Sequence, residues 1–198
     1  MNKITDFFRK CFKNRLWKVG IASGAVLCLA TVLVILGYYP VAVAGNRFVS
    51  AANLEKNYKA AMVYFAVLQK TYLSDADKNK LQGWDVKKAV LEQLLDNILI
   101  EREARRELGG ELSNLVEKKI RELGRTQEME NLAYKLYGWN YADFKDEVLV
   151  PQAERDVLAA QLFLRGQNIE ARLEEIKKSA RVYVFLDGAR WENGKLKD

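Results

Sequence analysis

Histidine is absent from all 198 residues of this chain, and cysteine occurs only at Cys11 and Cys28. The first absence removes the commonest general base and metal ligand. Serine–histidine and cysteine–histidine nucleophiles are excluded with it. Nothing after residue 28 can form a disulfide or a cysteine-based zinc site, so that part must cohere by packing. Proline appears only at Pro40 and Pro151, while Leu, Ala, Glu, Lys and Arg abound, a composition that favours helix. Glycine-rich phosphate loops are missing too. The stretch DADKNK at Asp75–Lys80 imitates half a calcium loop, but Lys80 stands where glycine is needed and Val86 where the closing glutamate belongs. Neither a cofactor nor a metal is expected. The remaining acids are spread along helix faces without the pattern of a catalytic pair.

The formal charge of +6 is local. Residues 1–18 carry Lys3, Arg9, Lys10, Lys13, Arg15 and Lys18 against Asp6, whereas residues 44–198 hold 26 basic and 25 acidic side chains. A nearly neutral body argues against a nucleic-acid partner. Between the two lies VGIASGAVLCLATVLVILGYY, Val19–Tyr39, without a formal charge. At about 1.5 Å per residue it spans about 31 Å, the thickness of a bilayer's hydrocarbon core. Trp17 and Lys18 flank one end, and Tyr38 and Tyr39 the other, as interfacial residues do. Pro40 is expected to end the helix. The basic tail before the segment places the N-terminus in the cytoplasm and everything from residue 41 outside it, in a single-pass inner-membrane topology. Ala42-Val43-Ala44 has the form of a leader cleavage site. The apolar run, however, is longer than a leader's core, which favours a retained anchor. Gly20, Ser23 and Gly24 are small enough for helix–helix packing, and ordinary membrane composition explains them equally.

The outer region, residues 41–198, reads as one mainly helical domain. A turn at Gly45-Asn46 separates strand-like Val41–Ala44 from Arg47–Val49. Ser50 is placed to cap a helix running to about Tyr72. A polar loop, Ser74–Trp84, leads to a long helix from about Asp85 to Leu108, stopped by Gly109-Gly110. Val90, Leu91, Leu94, Leu95, Ile98 and Leu99 cover half of its circumference, so its first half is expected between neighbours on two sides. Its second half, EREARRE, keeps only a narrow apolar stripe and is expected to project into water. Ser113 and Thr126 are expected to cap two short helices ending at Gly124 and Gly138. Asn140 opens another, which Pro151 should kink or split. A last helix, Ile169–Ser179, precedes the alternating run RVYVFL, a strand. Asp187-Gly188 and Asn193-Gly194 are turn dipeptides. Isolated strands are unstable in water, so the two terminal strands are expected to pair and close the helical domain with a small sheet.

Two aromatic groups are the candidate binding features. The run AAMVYFAVL, Ala60–Leu68, is apolar all round: either core, or a groove for peptide built on Tyr58, Met62 and Phe65. Methionine and flat rings suit adaptable apolar recognition. The second group, Tyr134, Tyr137, Trp139, Tyr141 and Phe144, surrounds the turn YGWNY; it either staples two helices or touches a ligand.

Three motifs in order carry a resemblance. VAVAGNRFVSAANLEKNY, VLEQLLDNILIEREARRELGG and LYGWNYADFKDEV together resemble the N-terminal, peptide-binding domain of SurA-type periplasmic chaperones and membrane-anchored parvulin-type foldases. The likeness runs from about Val41 to Leu186. It implies a domain that binds unfolded, envelope-destined polypeptides through apolar surfaces. That family commonly adds a parvulin isomerase domain; the short connection between Phe163 and Arg181 leaves no room for one, and no isomerase activity is carried over. The expectation is therefore a non-catalytic, membrane-anchored chaperone-like protein, with Tyr58, Met62, Phe65, Tyr137, Trp139 and Phe144 as peptide-binding candidates. The alternative is a structural or assembly subunit of a membrane complex with one dedicated partner. The sequence carries no signal for an oligomeric state.

Overall fold

A computed structural model describes Cys28, residues 31–72 and residues 83–197. Residues 1–18, most of the apolar segment and residues 73–82 lie outside it, and with them Trp17, Lys18 and the Asp75–Lys80 motif. The chain divides into two compact units, Met1–Tyr39 and Pro40–Asp198. Among the described residues no helix is long and apolar enough to cross a membrane.

In the first unit residues 31–35 are helical. The helix stops at Gly37, not at Pro40 as the sequence led us to expect. Gly37 takes a φ of 75°. Tyr38 N–H then reaches the Leu33 carbonyl and Gly37 N–H that of Val34, a glycine closure that satisfies the last carbonyls before proline is reached. Pro40 instead opens a strand.

The second unit is mainly helical, with small antiparallel sheets. Strands β1 (Pro40–Ala44) and β2 (Arg47–Ser50) form a hairpin across Gly45, whose φ of 64° only glycine adopts freely. Helices α1 (Ala51–Tyr72) and α2 (Gly83–Leu108) follow, then α3 (Leu112–Leu123) and α4 (Gln127–Tyr137). Next come α5 (Tyr141–Phe144), α6 (Val150–Leu164) and α7 (Ile169–Ser179). The chain closes with β3 (Val182–Val184) and a second hairpin, β4 (Arg190–Glu192) and β5 (Lys195–Lys197). β3 pairs antiparallel with β1, Val43 facing Tyr183, so the sheet order is β2-β1-β3 and the two ends of the domain meet as expected.

Side-chain caps fix the helix starts. Ser50 Oγ accepts from Asn53 N–H at 3.1 Å, Thr126 Oγ1 from Met129 N–H at 3.1 Å, and Asn140 Oδ1 from Asp143 N–H at 2.9 Å. Each satisfies a donor that the first helical turn leaves free. Ser113 does not cap: a 3₁₀ turn at Gly109–Glu111 runs directly into α3, which begins one residue earlier, at Leu112. Pro151 does not split its helix. Proline has no N–H, and its ring would press on the carbonyl four residues back in a regular helix. Here residues 145–149 form a π-helical turn, with Val150 N–H bonded to the Lys145 carbonyl, and the helical path continues from Tyr141 to Leu164.

The core is organised round α2. Leu91, Leu95, Leu99 and Ala104 are sealed from water, and Val86, Val90 and Ile100 nearly so. α1 packs on one side of this helix and α6 on another, with α3 behind α6. Ala42, Ala44 and Val49 of the sheet join the same cluster. The charged second half of α2 shows only its arginines to water: Arg102, Arg105 and Arg106 are exposed, while its acids are engaged by other elements. Arg47 Nη2 holds Glu101 at 2.5 Å, Arg172 Nε holds Glu103 at 2.8 Å, and Arg165 pairs with Glu107. Glu103 is buried, with Arg172 and Arg106 as its partners. The acids that seemed to face solvent are the anchors for α7, β2 and the end of α6.

Leu95→Ala should leave a cavity at the middle of this helix and cost about 2–5 kcal/mol, read as a lowered urea midpoint with an unchanged slope.

Candidate functional site

The six residues singled out from sequence do not share one face. Tyr58 and Phe65 point from α1 onto the core and are half-buried. Met62 lies on the solvent side of the same helix, 43% exposed. Tyr137, Trp139 and Phe144 pack together beside α1, and Phe65 is linked to them through Tyr64, whose ring it meets edge-on with centres 6.1 Å apart. There Tyr64, which the sequence did not single out as a binding residue, stacks on Tyr137 with ring centres 5.7 Å apart and planes 6° from parallel. Tyr137 in turn stacks on Trp139 at 5.4 Å and touches Phe144 at 5.8 Å. Trp139 is buried. The stack joins α1, α4 and α5, so the helix-stapling reading of this group describes its packing.

Local chemistry places these rings. Gly138 adopts a left-handed φ of 70° and closes α4, turning the chain so that Trp139 folds back under Tyr137. A side chain at 138 would approach Val63 of α1. Lys56 sits at one end of the stack, 5.6 Å from the Trp139 ring centre, and bridges Asp143 at 2.8 Å and Glu147 at 3.0 Å. Burial alone would lower its affinity for a proton; the hydrogen bonds to Asp143 and Glu147 outweigh that and hold the ammonium above its ordinary value. Glu147, inside the π turn, also accepts from the Asn53 side chain at 3.2 Å and the Asn57 side chain at 3.0 Å. Burial, then the neighbouring Tyr64, raises the Tyr137 phenol. The charged groups of this corner are thus paired with one another.

The apolar run Ala60–Leu68 is only part core. Ala60 is buried, while Met62 and Val63 are 43% and 38% exposed. Leu132 and Tyr134 on α4 are open too, at 54% and 72%. A separate cavity of about 650 Å³ lies between the second half of α2 and α7, lined by Arg102, Glu103, Arg105, Arg106, Arg172 and Glu175 among others. Its guanidinium groups are mostly paired, Arg106 and Arg172 with Glu103 and Arg105 with Glu101. Six of its eight lining residues are charged, and Ile176 and the arginine stems add apolar surface. Among the described residues no group of acidic side chains or cysteines is arranged to hold a metal.

Sequence reasoning missed two buried acids, Glu103, held by Arg172 and Arg106, and Glu154. Glu154 of α6 is 8% exposed. Burial, and secondly the nearby Glu101 carboxylate, push its carboxyl up to about 7, against the pull of Arg105 and Arg47. The signal was there: Glu154, Leu158 and Leu162 stand four apart, and both leucines are buried. Comparison with family models, curated proteins and solved structures finds no match.

Between pH 4.5 and about 7 the folded chain keeps a proton on Glu154 that an unfolded chain has released. Stability from this group is therefore full below pH 4.5 and declines as pH rises through 7. Glu154→Gln should remove that decline, gaining roughly 1–3 kcal/mol over wild type at alkaline pH. Urea midpoints at acid and alkaline pH check it; parallel pH profiles for the two proteins would refute the assignment.

Proposed function

We propose that this chain is a membrane-anchored, extracytoplasmic chaperone-like protein. It holds non-native polypeptides by reversible burial of their apolar side chains, without catalysis. The carrying observation is that Ala60–Leu68 is not enclosed: Met62 and Val63 remain at the surface of a helix that is otherwise packed on the core and on the aromatic stack. Leu132 and Tyr134 add apolar surface on α4, which packs against that helix. Support also comes from the architecture, helices closed by a sheet from both ends of the domain, as the likeness to SurA-type N-terminal domains implies.

This reading differs from a pre-formed groove. Tyr137, Trp139 and Phe144 hold one another and act as scaffold, and Tyr58 and Phe65 serve the core. Met62, Val63, Leu132 and Tyr134 are the contacts left for a client. Each Leu- or Phe-sized client side chain buried contributes about 1.5–3 kcal/mol, so a few such contacts give release as well as capture. The uncharged segment Val19–Tyr39 supplies the anchor in this proposal, and the basic tail its orientation.

Full-length protein in lipid nanodiscs should delay aggregation of several unrelated, chemically unfolded proteins. Met62→Asp and Tyr134→Asp should each keep the wild-type melting transition and weaken the protection several-fold. Phe65→Asp should lose the fold itself. A wild-type protein that protects none of the test proteins but co-purifies with one stoichiometric partner would establish the dedicated-subunit alternative instead.

A further inference from the structure

The β2-β1-β3 sheet has one face in the core and one face open. Val43 is directly opposite Phe48 on β2 and Tyr183 on β3. Antiparallel partners project to the same side of a sheet. Phe48, Val43 and Tyr183 therefore form a row across it, and Phe185, two residues beyond Tyr183, extends the row. Phe185 is held by its N–H on the Val41 carbonyl at 2.8 Å. The three rings are 56%, 64% and 62% exposed. Arg181, two residues before Tyr183, is exposed on the same alternation. The inner face is ordinary core, with Ala42, Ala44 and Val49 buried.

A run of exposed rings across a well-formed sheet needs a cover, and the covalent chain indicates which. The uncharged segment ends at Tyr39, and β1 begins at the next residue, Pro40. From Tyr39 to Val43 there are four residues, at most about 13 Å of extended chain. Phe185 is bonded to Val41, two residues from the segment's end. With the segment in a bilayer, the covalent chain keeps Val43 within about 13 Å of the segment's end. Aromatic rings favour the membrane–water interface, and an arginine beside them can reach lipid phosphate while its stem lies along apolar surface.

We propose that the outer face of this sheet lies against the bilayer surface, with Phe48, Tyr183 and Phe185 inserted at the headgroup–acyl boundary and Arg181 directed at phosphate. The proposal rests on the anchor reading of Val19–Tyr39. It gives the domain a fixed attachment at the sheet, separate from the apolar side chains of α1 and α4 offered to clients.

The test uses the full chain in phosphatidylcholine vesicles with plain or brominated acyl chains. Phe48→Trp and Tyr183→Trp each add one indole, read as the difference from wild type. Both positions are exposed, and a matching thermal transition confirms folding for each. The added emission should be blue-shifted and should lose most of its intensity in brominated vesicles. Red, unquenched emission from a protein that resists alkaline carbonate extraction would overturn the sheet proposal and leave the anchor standing. Release by carbonate would overturn the anchor, and the proposal with it. Blue but unquenched emission with a doubled mass would assign the face to a second copy, and with an added client peptide to the client; either result overturns the lipid assignment.

Discussion

Leu91, Leu95 and Leu99 of α2 are the side chains on which the rest of the second unit depends. They sit on a helix flanked by α1 and α6, so neither neighbour can bury its own apolar stripe without it. The sheet adds Ala42 and Ala44 to the same cluster, and α7 adds Leu173 and Ile176. Water exclusion at this one helix sets the positions of all the others, because a close-packed interior admits few alternatives. The ion pairs along its second half then fix direction. Glu101, Glu103 and Glu107 each meet an arginine from a different element, and the buried Glu103 would be costly to leave unpaired.

Much of this was legible in residue order. Ser50, Thr126 and Asn140 cap where their spacing indicated, and the Ile169–Ser179 helix has the expected bounds. The pairing of the terminal strands followed from the instability of strands alone. What escaped was tertiary. The charges of Glu101–Glu107 look solvated in one dimension because their partners, Arg47, Arg165 and Arg172, lie far off in sequence. Pro151 reads as a breaker unless a π turn is foreseen. Of the aromatic set read around the turn, Tyr137, Trp139 and Phe144 pack together, whereas Tyr134 is exposed and Tyr141 meets Arg125; Tyr64 was missing from the set, since its partner Tyr137 is distant in sequence.

The candidate site was less legible for a related reason. An apolar run shows that a helix is buried on several sides, but not which of its residues a neighbour fails to reach. Met62 and Phe65 look equivalent as letters, and only packing separates an exposed thioether from a ring in the core. Glu154 is the opposite case, an acid on an apolar stripe whose unusual proton affinity could have been suspected from the leucines at 158 and 162.

The strand order β2-β1-β3 has a consequence for vectorial synthesis. β1 is the first strand of the second unit to be made, and its hairpin with β2 can form at once. Its other edge waits for β3, some 140 residues later. Until then the nascent domain carries an unpaired strand edge, open to mispairing. Helices α1–α7 can assemble meanwhile from largely neighbouring contacts, but the sheet closes only when β3 arrives. Truncation before Val182 would leave that edge permanently open.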